Sequence, residues 1–172
     1  TIRRTTLLLA LGALLWLPAV PANRRTPLDE YVAKPDTNYK YELKTKTAAK
    51  GVTIYLLELT SQAWRTEAEV DKPVWKHWLG IYKPETVTSS IALLSIGGGA
   101  NDGKPPRTDQ RLATTAEVTG TVVAELRMVP NQPLQFAGDP YGPRSEDEMI
   151  AYTWDQYLKT GDATWPARLP MT

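Results

Sequence analysis

"LLSIGGGAND", Leu93 to Asp102, sets an apolar run against three consecutive glycines and two short polar residues. The longer run "SIALLSI", Ser90 to Ile96, reads as a strand with apolar residues on both faces, as in a buried parallel sheet. After the glycines, "TDQRLATTAEVTG" has the layout of a helix. Thr108 stands as its N-cap, Leu112, Ala113 and Ala116 share one side, and Gly120 stops it. "TVVAELRMV", Thr121 to Val129, then reads as another strand. Strand, helix and strand in succession form the βαβ unit of a parallel sheet, so the fold class is α/β.

The segments upstream have a different character. "NYKYELKT" alternates Tyr39, Tyr41 and Leu43 with Lys40, Glu42 and Lys44, the period of a half-buried strand. Lys50-Gly51 marks a turn, and "VTIYLLELT", Val52 to Thr60, follows as a more apolar strand. "PVWKHWLGIY", Pro73 to Tyr82, is a third, closed by Pro84. These three are expected to pair antiparallel. Beyond the βαβ unit, Ser145 and Glu148 fit a capping box, and Ile150, Trp154, Tyr157 and Leu158 recur at helical spacing up to Gly161. Glu146, Asp147 and Glu148 read as the solvated acidic first turn of that helix rather than as a metal site.

Three glycines in a row suit a phosphate loop, an oxyanion loop or a tight turn. Gly98 to Lys104 matches the first seven positions of a phosphate-binding loop, but Pro105 stands where Ser or Thr must reach the metal ion. Pro105 and Pro106 also delay the helix whose N-terminus would face the phosphates. The oxyanion reading requires bare backbone N–H groups at the end of a central strand, where a Cβ would obstruct the carbonyl. A purely structural turn stays open beside it.

The chain begins with Arg3 and Arg4, an apolar stretch from Leu7 to Leu17, and Val20-Pro21-Ala22. This is the layout of a secretory signal peptide, with cleavage expected after Ala22. At about 11 residues the apolar stretch is short for a membrane span, so no stable span is expected after cleavage. Thr1 in place of Met and an ending on Thr172, a good N-cap, suggest a record cut at both ends. Residues 23–172 are expected to be the N-terminal portion of a domain, about 150 residues long. Twenty basic and nineteen acidic residues leave a net charge of +1, with no nucleic-acid footprint. With no cysteine and one histidine, neither a disulfide nor a zinc site of N and S ligands is expected. No cofactor motif is present. Six Trp and eight Tyr supply large apolar surfaces for a core.

"TPLDEYVAKPD", "DKPVWKHWLGIYKP", "IGGGANDGKPP", "VVAELRMVPNQPL", "RSEDEMIAYTWDQYL" and "TWPARLPMT" occur in that order between Thr26 and Thr172. Together they resemble the PhoPQ-activated pathogenicity-related protein family. The resemblance implies an exported bacterial protein, periplasmic or secreted, with an α/β-hydrolase fold and a link to virulence and host defence. It also implies that the chain stops before the Gly-x-Ser-x-x-Gly-type turn that holds the nucleophile. The expectation is therefore a serine-hydrolase-type enzyme acting on peptides or esters, inactive as this piece alone. The alternative is an exported binding or signalling protein on the same fold.

No catalytic side chain is expected within the chain. Gly98 and Gly99 are the candidate oxyanion donors, through their backbone. Asn101 beside them and Arg127 near the end of its strand are candidate substrate contacts. Glu125 and Arg127 point to one face, and a structural ion pair is the plainer reading. His77, between Trp75 and Trp78, precedes any nucleophile and so cannot be the triad histidine of this fold by chain order. It reads as a structural histidine.

Overall fold

The computed structural model describes residues 25–171, and the signal peptide expected at Thr1–Ala22 lies outside them. The chain divides into two compact units between Ala33 and Lys34. The described part of the first is a helix, α1 (Pro27–Ala33). None of its residues is buried, but it has a strong start signal. Thr26 N–H donates to Asp29 Oδ2 at 2.7 Å, and Asp29 N–H donates to Thr26 Oγ1 at 3.2 Å. Pro27 takes the first helical position, where no N–H is needed.

The second unit is built on a mixed sheet. Its strands are β1 (Lys40–Ala49), β2 (Val52–Ala63), β3 (Val74–Pro84), β4 (Leu93–Ile96) and β5 (Val123–Arg127). Their order across the sheet is β1-β2-β3-β5-β4. β1 to β3 pair antiparallel as expected, with Lys50-Gly51 turning the first hairpin. β3 also pairs antiparallel with β5, whereas β4 and β5 run parallel. Helix α2 (Gln110–Thr119) connects that parallel pair. Asp109, not Thr108, caps it: the Asp109 side chain accepts from Arg111 N–H at 2.8 Å. Gly120 ends it in the left-handed region, at φ 62°.

Ala113 and Ala116 seat α2 on Val52, Ile54, Tyr82 and Val123, with Leu112 at the margin, and all six core members are buried. Small residues on the helix let it approach the larger ones on the strands. A second buried group, the aromatic cluster, lies off the sheet's end. Trp64 meets Trp75, Phe136 and Trp165 edge-on, and Phe136 stacks on Tyr152 at 4.3 Å. Helix α3 (Glu146–Thr160) contributes Tyr152 and buries Met149 and Thr153. The expected face of Ile150, Trp154, Tyr157 and Leu158 is not the buried one, since Trp154 is 44% and Leu158 79% exposed. The helix is oriented instead by the aromatic cluster and by Thr153 Oγ1, which accepts from Ala167 N–H at 3.0 Å. The capping box expected at Ser145 is also absent, because its side chain makes no cap hydrogen bond.

The expected burial of Ser90–Ile96 on both faces is corrected as well. β4 is an edge strand paired on one side only, and Leu93, Leu94 and Ile96 are each at least half exposed. Within Lys34–Met171 helix α2 contacts β2, β3 and β5 from one face. On the other face Tyr41, Leu43, Tyr55, Leu57 and Ile81 line an open apolar trough of about 370 Å³.

Candidate functional site

The glycine loop leaves β4 at its carboxyl end and is tied to the segment that leaves β5. Gly97 N–H donates to Leu126 O at 2.8 Å and Val129 N–H donates to Gly97 O at 3.1 Å. Met128 N–H donates to Gly98 O at 3.1 Å, and Asn101 N–H to Gln132 O at 2.6 Å. These bonds extend the parallel pairing beyond the strands themselves. They engage the Gly97 and Gly98 carbonyls and the Gly97 and Asn101 amides. Among the described residues, neither Gly98 N–H nor Gly99 N–H has an acceptor.

The two glycines differ. Gly99 sits at φ 121°, a backbone conformation that side chains resist. Gly98 does not, and a Cβ there would meet only Glu146 Oε1 at 3.9 Å and Val129 O at 4.0 Å. Glycine at position 98 is therefore not demanded by turn geometry or crowding.

Buried amides hold the far side. Asn131 is fully buried; its Oδ1 accepts from Asn101 Nδ2, and its Nδ2 donates to Lys72 O at 3.3 Å. Asn101 is thus engaged in holding the loop. Gln132 caps α3 from outside: its Oε1 accepts from Glu146 N–H at 2.8 Å, and its Nε2 donates to Glu146 Oε1 at 3.4 Å. It also sets the Glu146 carboxylate beside Gly98. Asn131, Gln132 and Glu146 escape a reading by periodicity. The only hint is the polar pair Asn131-Gln132 between Pro130 and Pro133.

Arg127 stands apart from this group. It ends β5 with its Nε 2.9 Å from Glu125 Oε2, an ion pair within the strand. The pair lies on the α2 face, beside a small pocket of about 40 Å³ lined also by Trp78, Tyr82, Pro106 and Thr108. That is room for about one water molecule. No side-chain hydrogen bond joins Arg127 to Gly98, Gly99 or Asn101 among the described residues. The phosphate-loop pattern also lacks its geometry, since α2 begins at Gln110 and the Lys104 side chain is 82% exposed.

His77 is 3% exposed. Its Nε2 lies 2.9 Å from Ser61 Oγ and its Nδ1 2.9 Å from Met128 O. Burial pushes its pKa below the usual 6.5, with backbone carbonyls opposing part of that shift.

The model of the PhoPQ-activated pathogenicity-related proteins matches residues 28–172. The chain belongs to that family. It is also 43% identical over 162 residues to autocrine proliferation repressor protein A of Dictyostelium discoideum. That match covers 92% of this chain and 32% of the relative, so the chain spans about a third of that protein's length. A 44-residue stretch is 48% identical to glutamate racemase of Lactococcus lactis subsp. cremoris, covering 22% of this chain and 16% of the racemase. No solved structure matches.

Proposed function

We propose that this family member is an exported serine-hydrolase-type enzyme acting on peptides or esters, and that this chain supplies part of its oxyanion hole. One observation carries the reading: Gly98 and Gly99 present unpaired N–H groups at the carboxyl end of a parallel strand, at the start of the loop that leads to α2. In α/β-hydrolases the loop between the third strand and the first helix supplies one oxyanion donor, and the residue after the nucleophile supplies the other. On this reading a serine outside this chain attacks the substrate carbonyl. The carbonyl π pair moves onto oxygen, and the Gly98 amide meets the charge as it forms. Cleavage of the acyl bond then follows the usual order, with acid and histidine also outside this chain. Export follows from the Arg3 to Ala22 layout, and a link to virulence or host defence from the family's description.

A second reading, an exported binding or signalling protein on the same fold, draws on the name of the Dictyostelium relative, a proliferation repressor. The full-length protein separates the two. A fluorophosphonate probe should label one serine, and Gly98→Ala, which keeps the N–H but sets a methyl where the substrate carbonyl approaches, should lower kcat for a generic ester with stability held within about 0.5 kcal/mol. Labelling of no serine, with no ester turnover, would establish the binding reading instead. Normal turnover by Gly98→Ala would overturn the reading that a bare Cα at 98 clears the way for the substrate carbonyl.

A further inference from the structure

His77 is the single histidine of the chain, placed mid-strand in β3 and enclosed. An apolar side chain would fill that space with no polar atoms to satisfy. Both ring nitrogens are nevertheless used. A carbonyl oxygen only accepts, so Nδ1 carries the proton and donates to Met128 O at 2.9 Å. Nε2 is then unprotonated and accepts from the Ser61 hydroxyl at 2.9 Å. Ser61 reaches the ring from a β-bulge, since the β2–β3 register shifts between Thr60 and Gln62. Bulges re-aim a side chain in this way.

Met128 is the other end of the link. It is 5% exposed and holds φ 64°, the left-handed region, without being glycine. Such a conformation is strained for a residue with a Cβ and persists only where the surroundings over-determine it. Here Met128 is gripped from both sides. Its carbonyl receives His77 Nδ1–H, and its N–H reaches Gly98 O at 3.1 Å.

We infer that His77 is a positioning residue for the glycine loop: braced by Ser61, it holds Met128 left-handed, and Met128 in turn anchors the Gly98 carbonyl so that the Gly98 and Gly99 amides face outward. Ser61 is not itself a nucleophile served by these amides. The two ring nitrogens point apart, so its hydroxyl lies across the imidazole from Met128 and the loop. A reacting atom about 3 Å from both the hydroxyl and the amides has no place to sit. The effect on turnover rests on the hydrolase reading; the effect on loop geometry does not.

Hydrogen exchange on the full-length protein tests it, in peptides covering Leu93–Asp102 and Val122–Pro133. His77→Leu removes the donor, whereas His77→Asn keeps a side-chain N–H near the Nδ1 position. His77→Leu should speed exchange at the Met128 amide about tenfold over its effect on β1 and β2, and His77→Asn should stay within about threefold of wild type. With a generic ester, His77→Leu should lower kcat about tenfold at unchanged KM, and His77→Asn should restore it. Equal Met128 protection in His77→Leu and wild type overturns the inference. Should His77→Leu fail to fold, the ring ¹⁵N shifts of the wild-type protein decide, because a proton on Nε2 rather than Nδ1 overturns it equally. Absence of ester turnover in the wild type, with the exchange pattern as expected, sinks the hydrolase reading and leaves the positioning role standing.

Discussion

The layer beneath α2 and the ground between Gly97 and Gln132 are built from opposite materials. Under α2, Val52, Ile54, Val123, Ala113 and Ala116 contribute apolar atoms only, and Tyr82 places its one hydroxyl at the margin, accepting from Asp109 N–H at 3.0 Å. Around the glycine loop, Asn131, Gln132 and His77 are buried polar groups, and nearly every contact described is a hydrogen bond. The first region is held by area removed from water, the second by directed bonds whose partners must stay in place. Packing tolerates small shifts; the loop has discrete partners and one geometry.

Deletion of bulk should separate the two most strongly. Tyr82→Ala empties a core position that is 2% exposed and should cost about 3–5 kcal/mol in urea denaturation of the full-length protein. Tyr82→Phe, which loses only the Asp109 contact, should cost about 0.5–1.5 kcal/mol. Similar losses for the two would mean that the layer under α2 is also held chiefly by polar contacts.

An intermediate effect is expected from Asn131→Leu. It keeps the side chain's branching and heavy-atom count and strands Asn101 Nδ2 and Lys72 O, for a loss of about 1–3 kcal/mol in the same denaturation. Ester turnover should fall with it, as Asn101 is released. A neutral result would show that packing, not bonding, holds the loop.

The smallest effect is in pH dependence, and on the loop side it comes from His77. His77 is neutral when folded, with a pKa below the usual 6.5. The unfolded chain therefore binds its proton first as pH falls. Stability from this group is fully present above about 6.5, declines below it, and levels off once pH passes the folded value. His77→Asn should flatten that slope in melting temperature, while Tyr82→Phe should keep it. Asp162 acts lower. Its bonds from the Thr164 hydroxyl and N–H and from Arg65 hold it at about 2, so its contribution is lost between about pH 4 and 2.

The same division decides what could be read before the fold was known. Period and punctuation locate β1 to β3, the parallel β4–α2–β5 unit, and the stops at Gly120 and Gly161, because burial of side chains is what writes those patterns. The glycine loop is legible because its backbone is bare. The Asn131–Asn101 bond, the Gln132 cap and the Met128–His77 contact leave no period, since each joins residues far apart in sequence or uses backbone atoms that every residue shares. The face of α3 escapes the pattern for a related reason: buried Thr153 accepts a hydrogen bond from Ala167 N–H, which hydropathy does not record. Arg127 and Glu125 were correctly set on one face, and the structure gives them the ion pair.

The bulge at Ser61 has an evolutionary consequence. Before it, β2 residues pair as Leu59 with His77 and Thr60 with Lys76; after it, Gln62 pairs with Trp75 and Ala63 with Val74. Deleting one codon there would join the two ladders without a step, and Trp64 would keep its place against Trp75. A lineage could lose this residue and keep its sheet. A gap at that column of a future alignment should therefore mark proteins that have abandoned the imidazole brace. In those lineages the histidine in the neighbouring strand should be free to drift towards an apolar residue.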